Sequence, residues 1–147
     1  MVKFDSVWLE QSDQITDEIT AGISELLSQL SSRSRTIDKT AIENVLRPSN
    51  VNILLAISDG KILGILTLAN LSLLSGRKAL IEDVVVTKSW RGKGIADRLV
   101  HCAIEKARDL GAARVDLTSR PDRLAANRLY EKCGFERRDT NSYRLNL

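Results

Sequence analysis

The chain has 147 residues, enough for one domain with a buried core, and residues 1–147 are predicted to form a single domain. Aromatic residues make up only 4% of the sequence, so we expect a core of Leu, Ile, Val and Ala. A formal net charge of +3 is too small an excess to predict a nucleic-acid-binding surface. The two cysteines, Cys102 and Cys133, form no Cys-x-x-Cys pair, which argues against a disulfide framework or a zinc site.

Targeting signals are missing from the sequence as given. Residues 1–10 contain no long apolar run, and no stretch approaches the length of a transmembrane helix. We therefore expect no membrane partner and a cytoplasmic location.

The first part of the chain predicts a strand followed by two helices. Val2 to Leu9 is typical of a strand, and Ser12 or Asp13 is a candidate cap for the helix that follows. Apolar side chains then recur at helical spacing at Ile15, Ile19, Ile23, Leu26 and Leu30. After a polar, basic break at 31–35, a second helix is predicted from Asp38 to Leu46, ended by Pro48.

The middle of the chain predicts three consecutive strands. Asn52 to Ile57 and Ile62 to Leu71 flank the turn signal Asp59-Gly60, and Lys78 to Thr87 follows a second turn. The helix that follows Arg91 is predicted to reach Leu110, with Gly111 as its cap.

The last part predicts a short strand at Val115 to Thr118, a helix starting at Pro121, and a closing hairpin of Phe135 to Arg138 with Ser142 to Leu147. This order of elements predicts a three-layer α/β arrangement.

The stretch from Val84 to Ala96 carries the first chemical signal. A β-branched run leads through Gly92 and Gly94 directly into a helix. Glycines permit a close backbone approach, and the unpaired N–H groups of a helix start attract a pyrophosphate. The same pattern also occurs in an ordinary strand-to-helix connection. The dinucleotide fingerprint and the P-loop both fit poorly, since Ile95 follows Gly94 where a P-loop has Ser or Thr.

A second motif lies downstream, where Asn127 is followed by Tyr130 and then by Gly134-Phe135. Together with the Arg-x-x-Gly-x-Ala pattern of residues 91–96, it resembles the GNAT superfamily of acetyl-CoA-dependent N-acetyltransferases. The resemblance covers about residues 80–135. It implies a three-layer α/β/α fold with a mixed, centrally splayed sheet.

The resemblance implies acetyl-CoA as co-substrate and no metal. The cofactor-binding residues it implies are Val84, Val85, Val86, Arg91, Gly92, Lys93, Gly94, Ile95, Ala96 and Asn127. The glycine turn would bind the pyrophosphate through main-chain N–H groups. Backbone groups of Val84 and Val86 would pair with the pantetheine arm, and one N–H would polarise the acetyl carbonyl. Asn127 is also compatible with a purely local backbone hydrogen bond.

Tyr130 and Glu82 are the candidate catalytic residues. By motif match, Tyr130 would protonate the departing thiolate, and the alternative is a core tyrosine whose hydroxyl has a protein partner. Glu82 is the candidate general base, directly or through water, because its apolar neighbours favour a raised pKa. The alternative is a solvated or ion-paired strand carboxylate. Strand alternation places Asp83 on the opposite face.

The remaining candidates are charged. Arg120 and Arg123 either line an acceptor or cofactor entrance or are solvated loop charges, and His101 is expected on the surface.

Relatives often cover the acceptor with the loop between the first two helices, here the basic segment 31–35. Ile81-Glu82-Asp83 is similar to the glucosamine-phosphate acetyltransferase branch, whereas Thr118 to Leu124 is not.

The predicted activity is acetyl transfer to a primary amine of a small molecule or protein. Two alternatives stay open: a non-catalytic acetyl-CoA sensor, and a toxin-like acetyltransferase acting on charged tRNA. The modest charge argues against the tRNA reading, so no nucleic acid partner is expected. Relatives often pair through sheet edges, which raises a homodimer as one option.

Overall fold

A computed structural model describes residues 3–31 and 36–147. The strands are β1 (Asp5–Leu9), β2 (Val51–Ser58), β3 (Lys61–Leu73), β4 (Gly76–Val86) and β5 (Val115–Asp116). The helices are α1 (Asp17–Leu30), α2 (Lys39–Leu46), α3 (Ile95–Asp109) and α4 (Leu124–Lys132), with short 3-10 turns at Ser12–Gln14 and Lys88–Trp90. The predicted break at 31–35 falls, from residue 32 onward, outside the described residues, as does Val2.

The five strands form one mixed sheet in the order β1-β2-β3-β4-β5. All neighbouring strands are antiparallel except β4 and β5, which are parallel. Apolar side chains of α1 and α2 pack on one face, and those of α3 and α4 pack on the other. The three-layer α/β/α prediction is confirmed. Alternate side chains along the strands pack into two separate cores, one on each face of the sheet.

The first helix begins later than the sequence pattern indicated. Residues 12–14 form a 3-10 turn, and the Thr16 side chain caps α1 by accepting a hydrogen bond from the Ile19 N–H at 3.2 Å. The prediction of Ser12 or Asp13 as the cap was therefore wrong, because a local turn interrupts the helix there. Asp38 caps α2 as an acidic N-cap, accepting from the Ala41 N–H at 2.8 Å.

The splay in the sheet lies between β4 and β5. These strands pair only at Ala79–Val115 and Leu80–Asp116, while β4 continues as far as Val86. Because β5 is the last strand within the described part of the chain, the splay lies beside the sheet edge rather than at its centre. The second half of β4 therefore has β3 on one side and a gap on the other.

The predicted closing hairpin does not form. Residues 136–147 contain no strand, and every one of them is exposed. Alternating polar and apolar residues favour a strand only when one face is buried and the backbone has a partner. Neither condition is met for this segment among the residues that the structure describes.

Gly64 on β3 sets the position of α3. A Cβ at this residue would lie 3.1 Å from Leu99 Cδ1 and 3.3 Å from Ile95 Cγ2, both on α3. The missing side chain lets the start of α3 pack directly on the sheet, opposite the end of β4. In the described ranges, no helix has the length and apolar character needed to cross a membrane.

Candidate active site

A cleft of about 1170 Å³ opens beside the end of β4. Its wall includes the predicted residues Val84, Val85, Val86, Arg91, Gly92, Gly94, Ile95, Ala96 and Tyr130. Glu82, Lys93 and Asn127 were predicted with them but do not line it. The cleft exceeds the roughly 300–1,000 Å³ of ordinary small-molecule pockets, which suits a long ligand.

The glycine turn between β4 and α3 presents a row of N–H groups. Gly92 and Gly94 have φ values of 75° and 83°, so both occupy the left-handed region that favours glycine. The first backbone bond of α3 is from the Arg98 N–H to the Gly94 carbonyl. Within the described chain, no backbone carbonyl accepts from the N–H groups of 92–97. These donors and the positive end of the helix dipole form an anion site.

Side chains around this turn hold its shape. Arg91 Nε donates to the Val86 carbonyl at 3.0 Å, which joins the turn to the end of β4. Lys93 lies over the Trp90 ring, with Nζ 4.7 Å from the ring centroid. The charge of Lys93 therefore stays near the turn, although its side chain is not on the cleft wall.

A bulge in β4 reverses which residues face which core. Asp83 has a φ of 53°, and the pairing with β3 slips between Ile65 and Thr67. Before the bulge, Ile81 packs in the α3/α4 core; after it, Val86 packs in that core and Val85 in the other. A residue in the left-handed conformation turns the strand and shifts its alternation by one.

The bulge also corrects the predicted position of Asp83. Thr67 pairs with Glu82 across the sheet, and the Thr67 hydroxyl donates to Asp83 Oδ2 at 2.9 Å. Glu82 and Asp83 therefore lie on the same side of the sheet, the side that carries α1 and α2. The prediction that they point to opposite faces was wrong because regular alternation ends at Asp83.

Backbone groups at the end of β4 point into the splay. The Thr87 N–H donates to the Leu63 carbonyl on β3 at 2.8 Å. Since successive residues of a strand direct their N–H groups to opposite sides, those of Val84 and Val86 point away from β3. On that side β5 ends at Asp116, opposite Leu80. The end of β4 thus offers hydrogen-bonding groups to the cleft.

Tyr130 is buried at the cleft wall, with only 7% of its surface exposed. Its ring meets Phe135 edge to face, with the centroids 6.0 Å apart. Among the residues that the structure describes, none pairs with its hydroxyl. Burial raises the pKa of Tyr130, Arg123 opposes this shift with its positive charge, and Cys133 adds to it. Tyr130 therefore keeps its proton at neutral pH and can donate it into the cleft.

Glu82 is an exposed carboxylate beside the bulge. Partial burial raises its pKa, and the negative charge of Asp83 raises it further. A carboxylate with a raised pKa is a stronger base than an ordinary one. Because Glu82 is not on the cleft wall, a water molecule would have to relay any proton it takes from a ligand there.

The segment between β5 and α4 forms a further part of the wall. The Ser119 hydroxyl is buried and, within the described residues, lacks a hydrogen-bond partner. Arg120 and Arg123 line the cleft beside it. Asn127 Nδ2 donates to the Arg120 carbonyl at 3.0 Å, which is the local backbone bond left open by the sequence.

The sequence alone did not identify several residues of the wall. Gln29 at the end of α1 accepts from the Lys88 N–H at 3.1 Å, and its Nε2 lies 3.3 Å from Thr87 Oγ1. No sequence signal joins residues so far apart. Trp90, Ser142 and Arg144 also line the cleft.

His101 is exposed, as predicted, with Nδ1 2.8 Å from Asp97 Oδ1.

Known proteins resemble this chain in sequence over part of its length and in fold over nearly all of it. Glucosamine 6-phosphate N-acetyltransferase 1 of Oryza sativa subsp. japonica is 38% identical over 60 residues, which cover 41% of this chain and 34% of that protein. The chain thus matches only about a third of the length of this curated relative.

Solved structures share the fold over nearly the whole chain. A glucosamine-6-phosphate N-acetyltransferase from Arabidopsis thaliana has a TM-score of 0.80 at 23% identity, with 98% of this chain and 99% of that chain covered. A transcriptional regulator from Bacillus halodurans C-125 has a TM-score of 0.82 at 23% identity, with 97% and 100% covered. These identities speak to the fold alone.

The family is settled by the signature region itself. The model of the Acetyltransferase (GNAT) family matches residues 18–135, which span α1, the glycine turn, Tyr130 and Phe135. This chain therefore belongs to the GNAT family of acetyltransferases.

Proposed function

We propose that the chain is an enzyme that transfers an acetyl group from acetyl-CoA to a primary amine of a small molecule or protein. The observation that carries the proposal is the arrangement of the cleft wall. The N–H groups of 92–97, the outward backbone of Val84 and Val86, and the unpaired Tyr130 hydroxyl all border one cleft.

The wall suits acetyl-CoA in shape and in hydrogen-bonding groups. A Cβ at Gly92 or Gly94 would meet open space, so a pyrophosphate can approach the backbone closely there. The pantetheine arm, which carries amide groups, can pair with the outward groups of Val84 and Val86. The Ser119 hydroxyl supplies a further buried group without a protein partner among the described residues. The cofactor would thus complete hydrogen bonds that the protein leaves open.

The two candidate catalytic residues lie on opposite sides of the sheet. Glu82 is on the side of α1 and α2, and Tyr130 is on the side of α3 and α4. Gln29 and Leu30 at the end of α1 bring that side into contact with the cleft. We infer that the amine approaches from the α1 side and that the thiol leaves on the α4 side.

The proposed chemistry is a direct displacement. The amine nitrogen attacks the thioester carbonyl, a C–N bond forms, and the C–S bond breaks. An outward N–H of β4 polarises the carbonyl. The proton lost by the nitrogen passes through water to Glu82, and Tyr130 protonates the departing sulfur. Solvent then returns a proton to Tyr130 and removes one from Glu82, so that the cycle closes.

The half-buried cysteines are both free. This is consistent with a reducing compartment, and we propose the cytoplasm. No step of the proposed mechanism uses a metal ion or a nucleic acid.

The test is CoA release from acetyl-CoA across a panel of amines, with a blank that lacks an acceptor. Polyamines, amino acids, amino sugars, aminoglycosides and peptides with free N-termini cover the acceptor classes. Release above the blank with at least one amine is expected. Tight acetyl-CoA binding without release for any class would contradict acetyl transfer and favour a non-catalytic sensor.

A further inference from the structure

Three side chains that can bind a metal ion meet beside the cleft, and they come from two helices. Asp97 and His101 are four residues apart on α3, so their side chains are neighbours on one face of that helix. Cys133 lies at the C-terminal end of α4. A carboxylate oxygen, an imidazole nitrogen and a sulfur atom of these residues all lie within 4.8 Å of one another.

The distances between these atoms fit a shared ion. His101 Nδ1 lies 2.8 Å from Asp97 Oδ1 and 3.9 Å from Cys133 Sγ. Two ligand atoms on a tetrahedral Zn²⁺ ion are roughly 3.3–3.8 Å apart, as follows from the Zn–N, Zn–O and Zn–S bond lengths. Side-chain movements of about an ångström would therefore bring all three atoms to bonding distance of one ion.

The same distances do not fit a nucleophilic cysteine. A cysteine that is activated by a histidine and a carboxylate has its thiol and the carboxylate on different nitrogens of the imidazole ring. Here the Asp97 oxygen and the Cys133 sulfur both approach Nδ1 of His101. This convergence on one nitrogen favours a common centre between the three groups.

The surroundings of the cluster also suit a bound ion. Asp97 and Cys133 are half-buried and His101 is exposed, so the ion would have protein on one side and solvent on the other. Water would then take the fourth position of a tetrahedral ion. Lys132 is the cation beside the cluster, and its Nζ lies 3.3 Å from Asp97 Oδ2. It therefore leaves Asp97 Oδ1 directed at His101.

We propose that Asp97, His101 and Cys133 bind one Zn²⁺ ion, which joins α3 to the end of α4. A thiolate and an imidazole favour Zn²⁺ over Mg²⁺ or Ca²⁺, which prefer oxygen ligands. On binding, one bond forms from the metal to each of the three side chains, and the thiol proton leaves to solvent.

The spacing of cysteines in the sequence could not indicate this site. The cluster uses only one of the two free cysteines and combines it with two residues of another helix. The inference goes beyond the proposed acetyl transfer and does not depend on it, because its test needs no activity.

The test is a titration of the chain, prepared without a histidine tag and freed of metal by a chelator. Co²⁺ serves as the first probe because its absorption reports its ligands. We expect saturation at one ion per chain, visible absorption typical of tetrahedral Co²⁺, and a near-ultraviolet charge-transfer band from the thiolate. Zn²⁺ is expected to displace Co²⁺ and to abolish these bands.

Cys133→Ser is expected to lose the charge-transfer band and to bind Zn²⁺ at least about tenfold more weakly, since even residues behind the ligands contribute that much. The matched control is Cys102→Ser, at the other half-buried free cysteine, which should keep both the band and the affinity. His101→Gln should also bind Zn²⁺ at least about tenfold more weakly. It changes an exposed side chain and should fold even if Cys133→Ser does not.

Three results would overturn the proposal. Zn²⁺ binding that is still unsaturated at millimolar concentration would show adventitious surface contacts only. A charge-transfer band that survives Cys133→Ser, or that disappears in Cys102→Ser, would place the metal on the other cysteine. Unchanged Zn²⁺ affinity in His101→Gln would show that the imidazole is not a ligand.

Discussion

Two regions of this molecule leave backbone groups unpaired, in opposite surroundings. At the turn from β4 to α3, the N–H groups of 92–97 are held in place by a packed helix and by the bond from Arg91 to Val86. In the C-terminal arm, residues 136–147, every residue is exposed and no backbone–backbone hydrogen bond joins the arm to another described residue. Unpaired groups that are held in place suit a small ligand. The binding site is already ordered, so binding costs little conformational entropy. Groups on an unpaired segment lack this advantage, because a ligand would first have to order the backbone that carries them.

We expect the largest effect from a substitution that distorts the turn between β4 and α3. Gly94→Val places a β-branched residue at a φ of 83° in the wall of the cleft. We expect acetyl-CoA binding to weaken by about a hundredfold, because the turn must change shape and the N–H row with it. Isothermal titration measures the change.

The matched control is Gly60→Val, on the turn between β2 and β3. Gly60 has a φ of 76° and equally open space, so the local strain is similar. It should lose comparable stability while binding acetyl-CoA as the unmodified chain does. Equal binding losses in both variants would mean that Gly94 acts only through stability.

Tyr130→Phe removes one hydroxyl and keeps the edge-to-face contact with Phe135. Loss of a general acid is expected to lower kcat by about a hundredfold and to leave KM for acetyl-CoA nearly unchanged. Steady-state kinetics on the acceptor found in the panel measures both. Tyr143→Phe, at an exposed tyrosine, is the control and should keep full activity. An unchanged kcat in Tyr130→Phe would assign the proton donor elsewhere.

Glu82→Gln is expected to have a smaller effect, about tenfold in kcat/KM near neutral pH, since water can replace part of a relayed base. The base works only when deprotonated, so the rate of the unmodified enzyme falls as pH drops through the raised pKa of Glu82. The variant should lose this acidic limb of the pH–rate profile. Retained activity with the same profile would rule Glu82 out.

Asp83→Asn sharpens that test. The charge of Asp83 helps to raise the pKa of Glu82, so its removal should move the acidic limb to lower pH. Asn tolerates the left-handed backbone at this position and can still accept the bond from Thr67. A limb that does not move would show that it reports another group.

Lys93→Ala is expected to have the smallest effect, less than about threefold in acetyl-CoA affinity. The side chain lies over Trp90 and off the cleft wall, and its charge is exposed and screened. A loss as large as that of Gly94→Val would mean that the side chain, rather than the backbone, holds the phosphates.

The contrast between the two regions also marks what the sequence could predict. The glycine turn could be predicted because Gly92 and Gly94 determine only the local backbone conformation. The order of strands and helices up to α4 followed from periodicity in the same local way. For residues 136–147, alternation predicted a closing hairpin that does not form, because the pattern cannot show whether a partner strand lies alongside.

Two features of the site depend on long-range structure. The left-handed backbone at Asp83 changes which side chains of β4 face each side of the sheet. No local sequence pattern predicts a bulge at an aspartate that precedes a β-branched run. Gln29 reaches the turn before α3 from a helix far away in sequence. Such positions are fixed only when distant segments pack together.

We propose that the N–H groups at the start of α3 and the outward backbone of β4 bind acetyl-CoA. The most direct test follows the amide resonances of the labelled chain by two-dimensional NMR during titration with acetyl-CoA. We expect the largest shifts at residues 92–97, with further shifts at Val84 and Val86. Saturable binding that leaves these amides unmoved and shifts those of another surface would contradict it.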